Sequence, residues 1–137
     1  MKISVQEKIN ASIADVWDAW NDPNDILCWN SASDDWQCTK AENDLRVGGK
    51  LATRMEARDG SMGFDFGGTY TTVEPHQTLE YTMEDSRVVR TEFVNEGDRV
   101  LIRQTFDGDE SHSEEQQRQG WQAIQRRFRQ HVESKSN

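Results

Sequence analysis

Cysteine, proline and long apolar runs are all scarce in this chain of 137 residues, and each scarcity removes a class of explanation. The two cysteines, Cys28 and Cys38, lack the Cys-x-x-Cys spacing of a metal or redox motif, so both are expected as reduced, free thiols. Nowhere do about 18 apolar residues follow one another, which leaves no candidate for a membrane-spanning helix. The N-terminal MKISVQEKIN alternates where a signal peptide would need an unbroken apolar stretch, and the expectation is a soluble, cytoplasmic protein. Positive charge is in deficit too: 16 Lys and Arg stand against 25 Asp and Glu, a net charge of −9 spread along the chain. That balance opposes a grip on nucleic acid or on an anionic membrane surface, both of which need a positive face. A hydrophobic fraction of 34% and a mean hydropathy of −0.94 would suit disorder, yet five Trp and five Phe recur at periodic positions. One folded domain spanning residues 1–137, with a heavily charged skin, fits these numbers.

The periodicity changes twice along the chain. KISVQEKI sets Ile3, Val5 and Ile9 on one face of a strand, interrupted by Glu7. In SIAD, Ser12 can cap a helix and the Asp15 carboxylate can return the bond; Ile13, Val16, Trp17 and Trp20 then follow at helical spacing. Pro23 ends that helix and, with Asp22 as cap, opens a second one carrying Ile26, Leu27 and Trp29. From Trp36 to Phe106 the period is two. A strand near Trp36 to Lys40 is followed by a set with Leu51, Thr53 and Met55 on one face, then by one with Phe64, Phe66, Tyr70 and Thr72. Next come Leu79, Tyr81 and Met83, and a hairpin around NEGD with Val89, Thr91 and Phe93 before the turn and Val100, Ile102, Gln104 and Phe106 after it. The Gly pairs of VGGK and FGGT read as a bend and a bulge in this sheet. Six strands joined by short connections must pair antiparallel. Capping signals at Ser111 and Ser113 then introduce a long helix, about 22 residues, with a stripe of Trp121, Ile124, Phe128 and Val132.

The order is one strand, two helices, six strands and one long helix, an α+β arrangement in which only the last helix is long enough to cover the sheet. A twisted sheet wrapped around one helix leaves a hollow unless side chains fill it. The pieces ASIADVWDAWNDPNDILCWN, DLRVGGKL, GGTYTTVEPHQTLEYT and GWQAIQRRF, in this order, resemble the START-like, or helix-grip (SRPBCC), superfamily, and within it the homologues of the activator of heat-shock protein 90 ATPase. The resemblance covers nearly the whole chain. It implies a helix-grip β-αα-β6-α fold, a seven-stranded antiparallel sheet wrapped around the C-terminal helix, with a cavity between them of the kind the superfamily uses for apolar molecules. Two departures stand out. After Trp29 this chain reads NSASDDW where many relatives have an aromatic-Gly-Pro run, and the expectation is that no separate chaperone-binding domain precedes residue 1.

The expected cavity lining is the inward set of the sheet, Met55, Phe66, Tyr70, Tyr81, Phe93 and Gln104, facing Trp121, Ile124 and Phe128 of the long helix. Trp29 and Trp36 are expected near its entrance, with Trp29 lining the mouth. Tyr70, Tyr81, Thr91 and Gln104 would supply the few polar groups that orient a ligand. The same residues also suit plain core packing. Catalysis has little to stand on: no nucleophile elbow, phosphate loop or dinucleotide fingerprint occurs, and His76, His112 and His131 form no metal-ligand pattern and read as solvated. Arg90 and Glu92, placed outside with Arg54 and Glu56, read as solvated cross-strand pairs.

The expectation is therefore a binding module for a small apolar or amphipathic ligand, with no catalytic residues, no metal and no cofactor. The partners left open are that ligand, a second copy of the chain and, less favoured for want of the chaperone-binding domain, a chaperone. A cyclase or hydrolase using the same cavity is the enzymatic alternative, and it requires a titratable group buried in the pocket.

Overall fold

Ile3, Val5 and Ile9 do share the buried face of the first strand, β1 (Lys2–Ile9), in a computed structural model that describes residues 1–135. The elements that follow are α1 (Ile13–Asn21), α2 (Pro23–Trp29), β2 (Trp36–Asn43), β3 (Lys50–Ala57), β4 (Gly63–Glu74), β5 (Thr78–Thr82), β6 (Val88–Asn95), β7 (Val100–Asp107) and α3 (Glu114–Lys135). The strands form one antiparallel sheet in the order β1-β7-β6-β5-β4-β3-β2, so the first strand closes onto the last and β2 forms the far edge. This is the α+β helix-grip arrangement. No helix among the described residues is long and apolar enough to cross a membrane.

The helix ends follow their capping chemistry. Ser12 Oγ accepts from the Asp15 backbone N–H at 3.2 Å, while the Asp15 carboxylate makes no return bond among the described residues. Asp22 serves twice: its N–H ends α1 on the Asp18 carbonyl, and its carboxylate caps α2 through the Asn24 N–H at 2.8 Å. At α3 the reciprocal box forms, with the Gln116 N–H donating to Ser113 Oγ and the Ser113 N–H to Gln116 Oε1.

Glu7 is not a break in β1 but a polar seam. It lies on the inward side at 15% side-chain exposure, where Arg129 of α3 reaches it at 3.2 Å and Gln122 at 2.9 Å. The backbone of α3 runs closest to β1 and also approaches α1 and α2, so the helix covers one side of the sheet rather than its middle.

Three strand-level expectations need correction. Thr72 does not share a face with Tyr70: the register shifts between them, an extra residue enters β4, and Val73 instead of Thr72 turns to the core, opposite Leu79. Arg90 pairs across strands with Glu80 at 2.9 Å, because those two residues face each other in the register, while Glu92 lies opposite Thr78. FGGT contains no bulge, since β3 and β4 stay in register through it. Its glycines answer to close approach: a Cβ on Gly67 would lie 2.0 Å from the Leu51 carbonyl oxygen, and one on Gly68 would lie 2.8 Å from the ring of Tyr81.

His131 is likewise not solvated. Its Nε2 lies 2.7 Å from the Asp25 carboxylate, with the two side chains 19% and 16% exposed, and Lys135 donates to the same oxygen. This clasp ties α2 to the end of α3. His76 and His112 are exposed, and both cysteines are free, Cys38 buried and Cys28 at the surface.

The core is aromatic where the helices meet. Phe128 is fully buried against Trp20 and Trp29, with ring centroids 4.9 and 5.1 Å away, and Trp29 stacks on Trp20 at 4.7 Å. Removing the Phe128 ring should therefore leave a void that its rigid neighbours cannot fill. We expect Phe128→Ala to cost about 3–5 kcal/mol in denaturant unfolding, and a loss below about 1 kcal/mol would contradict this packing. The Asp25 clasp adds a pH dependence. Burial raises the Asp25 pKa, but hydrogen bonds from Lys135 and His131 and their charges outweigh it, for a net value below the usual 3.8. A lowered folded pKa stabilises above the unfolded value and is lost as pH falls through the folded one. Melting temperatures measured from pH 5 down to pH 2 should fall more steeply for the native chain than for Asp25→Asn.

Candidate functional site

Between the sheet and α3 lies a cavity of about 470 Å³. Its floor comes from the inward positions of the strands: Leu51, Thr53 and Met55 of β3, Phe66 and Tyr70 of β4, Leu79 and Tyr81 of β5, then Thr91 and Gln104. Trp121 and Ile124 of α3 form the roof, and Trp20, Ile26 and Trp29 close the end beneath α1 and α2. The exposed members of the lining, Phe64, Asp65 and His112, with the half-buried Arg87 and Asp109, mark where the cavity meets solvent.

Eight of the expected residues line this space: Trp29, Met55, Phe66, Tyr70, Tyr81, Gln104, Trp121 and Ile124. Trp36, Phe93 and Phe128 do not. Trp36 packs on Phe64 at 5.7 Å, flanking the opening from outside. Phe93 packs on Trp17 and Trp20, at 5.2 and 5.9 Å, and Phe128 on Trp20 and Trp29; Trp20 and Trp29 line the hollow, while Phe93 and Phe128 belong to the core around them. Trp29 is not at the mouth: it is 5% exposed, its Nε1 donates to the Ala19 carbonyl at 3.0 Å, and it forms part of the inner wall.

Sequence reasoning missed Trp20 and three asparagines, Asn21, Asn30 and Asn43, that also reach the cavity. All three stand at the ends of elements, where asparagine is common, so no spacing marked them as lining. Two of them build a polar corner. Tyr70 Oη donates to Asn43 Oδ1 at 2.6 Å, Asn43 Nδ2 donates to the Asn21 carbonyl at 2.9 Å, and Asn21 Nδ2 to the Trp17 carbonyl. Asn30 is placed differently: the acceptors near its Nδ2 are sulfurs, Met55 Sδ at 3.5 Å and Cys38 Sγ at 4.0 Å.

Gln125 was also missed, since it sits among charged residues of the helix. It is fully buried and begins a chain of amides: its Nε2 donates to Gln104 Oε1 at 3.0 Å, and Gln104 Nε2 donates to Thr91 Oγ1 at 3.2 Å. The Val5 carbonyl, 3.5 Å from the same Nε2, can only accept, and this sets the direction of the chain.

The electrostatics separate wall from opening. The ionisable groups of the inner wall are Tyr70 and Tyr81, whose pKa values burial pushes well up, so their hydroxyls stay neutral. The other ionisable residues of the lining stand where solvent reaches them. There Ser111's side chain and backbone, followed by His112, hold the Asp109 pKa down to about 2.

The sequence matches, over residues 10–133, the family described as Activator of Hsp90 ATPase homolog 1-like protein. The chain belongs to this family. An AHSA1-like protein from Aeromonas hydrophila, solved in solution, is 45% identical and superposes with a TM-score of 0.91, covering 99% of this chain and 94% of its own. A protein from Cytophaga hutchinsonii is 43% identical with a TM-score of 0.84, covering 98% and 93%. A Chromobacterium violaceum protein at 21% identity and a TM-score of 0.85, covering 95% and 96%, shares the fold. No curated protein matches the sequence significantly.

For this AHSA1-like chain the amide chain beside the cavity gives a stability test. Gln104→Leu or Gln125→Leu leaves the surviving amide buried without its partner, at about 1–3 kcal/mol each. The double variant should cost clearly less than the two single losses together, as a double-mutant cycle by urea unfolding would read. Strict additivity would mean the two amides do not depend on each other.

Proposed function

We propose that this chain is a binding module holding a small apolar or amphipathic molecule in the cavity between the sheet and α3, acting in the cytoplasm as a single domain. The observation that carries this reading is a cavity of about 470 Å³ with a largely aromatic and uncharged inner wall. That size falls within the roughly 300–1,000 Å³ of small-molecule sites, which are likewise mostly apolar with a few polar groups. Two free thiols suit a reducing compartment. The START-like resemblance points the same way.

An enzyme in the same cavity would need an acid or base at the substrate. The inner wall offers two tyrosines kept neutral by burial, while Asp65, Asp109 and His112 stand at the opening, so the site favours holding a molecule over transforming it. A chaperone partner has the family's description behind it. Such a partner would need a contiguous apolar surface. Leu27 of α2, Val94 of β6 and Val47 of the β2–β3 loop are exposed at separate places in the chain, as are Met62 and Phe64, of which Phe64 borders the cavity opening.

Native mass spectrometry of protein purified from its own host tests the reading. We expect a bound small molecule on the native chain and its loss in Ile124→Trp, which pushes an indole into the cavity from the roof. An equal occupancy in both proteins would overturn the cavity as the binding site.

A further inference from the structure

The hydrogen-bonding state of the cavity floor carries the binding reading further. Tyr81 is 7% exposed, and its hydroxyl has no hydrogen-bond partner among the described residues. No fully enclosed side-chain nitrogen or oxygen among those residues is left unpaired, so the Tyr81 oxygen must open onto the cavity. Gly68 makes this possible, since a Cβ there would strike the Tyr81 ring. The partner of Tyr81 on β4, Tyr70, has its hydroxyl committed to Asn43. Tyr81 is the tyrosine kept free.

A second donor stands beside it. The Val5 carbonyl fixes which end of Gln125 faces Gln104, and that in turn makes Gln104 donate to Thr91. Thr91 Oγ1 is thereby an acceptor for Gln104, and its own hydrogen has no acceptor among the described residues. Thr91 is 2% exposed and lines the cavity. Leu79 pairs with Thr91 and Tyr81 with Val89, so Tyr81 and Thr91 are diagonal neighbours on one face of the sheet, roughly 7–8 Å apart or less. The floor therefore presents two hydroxyl hydrogens on one face of the sheet, with no ionised group facing them from the inner wall.

The geometry points to an uncharged ring-bearing ligand whose carbonyl-class oxygen accepts from Tyr81 and Thr91 on the cavity floor. This rests on the cavity-binding reading and narrows it. A carboxylate would leave water for a wall without a counter-charge, at a large desolvation cost. A pure hydrocarbon would strip water from two hydroxyls and return nothing to them. A neutral carbonyl compound meets both conditions, and Phe66 and Trp121, which meet edge to face at 5.8 Å, supply the apolar wall for its rings.

Three probes of similar size separate these cases: 2-acetylnaphthalene, 2-ethylnaphthalene and 2-naphthoate, titrated calorimetrically at pH 7 into the native chain. We expect the ketone to bind about tenfold more tightly than the hydrocarbon, the worth of about one net hydrogen bond, and the carboxylate to bind more weakly than both. Tyr81→Phe, which keeps the ring, and Thr91→Val, which keeps the shape, should each shrink the ketone-to-hydrocarbon ratio, and the double variant should bring it within about twofold. Equal affinity of ketone and hydrocarbon in the native chain, tighter binding of the carboxylate than of the ketone, or a ratio that survives both substitutions would overturn this assignment while the cavity reading stands. Failure of all three probes to bind would overturn both.

Discussion

The position of α3 decides everything else in this structure. The helix is anchored over the β1 side of the sheet by four contacts that differ in kind. Trp121 stacks on Phe106 at 3.8 Å and 12° from parallel, Gln125 bonds Gln104, Arg129 and Gln122 reach Glu7, and Phe128 sinks into the tryptophan cluster. Because three of these anchors hold the helix to β1 and β7 and the fourth holds it to α1 and α2, it does not also cover β3, β4 and β5. The sheet nevertheless curls around it, and side chains such as Trp121 and Phe66, 5.8 Å apart, span part of the gap. The cavity is the remainder. It follows from where the helix is held, not from a shortage of large residues.

The helix pair α1–α2 completes the enclosure by aromatic stacking. Trp17, Trp20 and Trp29 act as a graded wall: Trp17 packs against Phe93 within the core, Trp29 bridges to Phe128, and Trp20, stacked on Trp29, reaches the cavity. Indole rings suit this task because each supplies a broad rigid face with few rotatable bonds. One side of the cluster can then pack solidly while the other stays smooth and open. The clasp from Asp25 to His131 and Lys135 holds α2 against α3 from outside, so the wall does not depend on the apolar contacts alone.

The elements, their order and the inward parity of most strands were legible in the sequence, because a period of two or of 3.6 is imposed by backbone geometry wherever one face is buried. The residues misjudged are those where tertiary geometry overrides that parity. The extra residue in β4 exchanges Thr72 for Val73, and no local signal in TYTTVE distinguishes the two. Gln125 stands among polar neighbours, and only the proximity of Gln104 across the fold makes its burial tolerable. Trp29 lines the hollow while Phe93 and Phe128 belong to the core around it, which depends on depth and not on which face a residue occupies. The aromatic content of the site could be read from the chain; the boundary between lining and core could not, since both obey one pattern.

The size of the cavity adds an energetic constraint of its own. At about 24 cal/mol per Å³, a dry void of 470 Å³ would cost about 11 kcal/mol, comparable with the roughly 5–15 kcal/mol by which a domain of this kind is stable. A loss of that size favours a filled space over an empty one. Water can enter through an opening bordered by Asp65, Arg87, Asp109 and His112 and find partners at the asparagine corner and the floor hydroxyls. Water against Phe66, Trp121 and Leu79 is poorly bonded, however, and its release is the largest favourable term available to an incoming apolar molecule. On the proposed binding reading the few polar groups act mainly on selectivity, since a ligand that displaces water from them loses affinity unless it brings an oxygen to replace it.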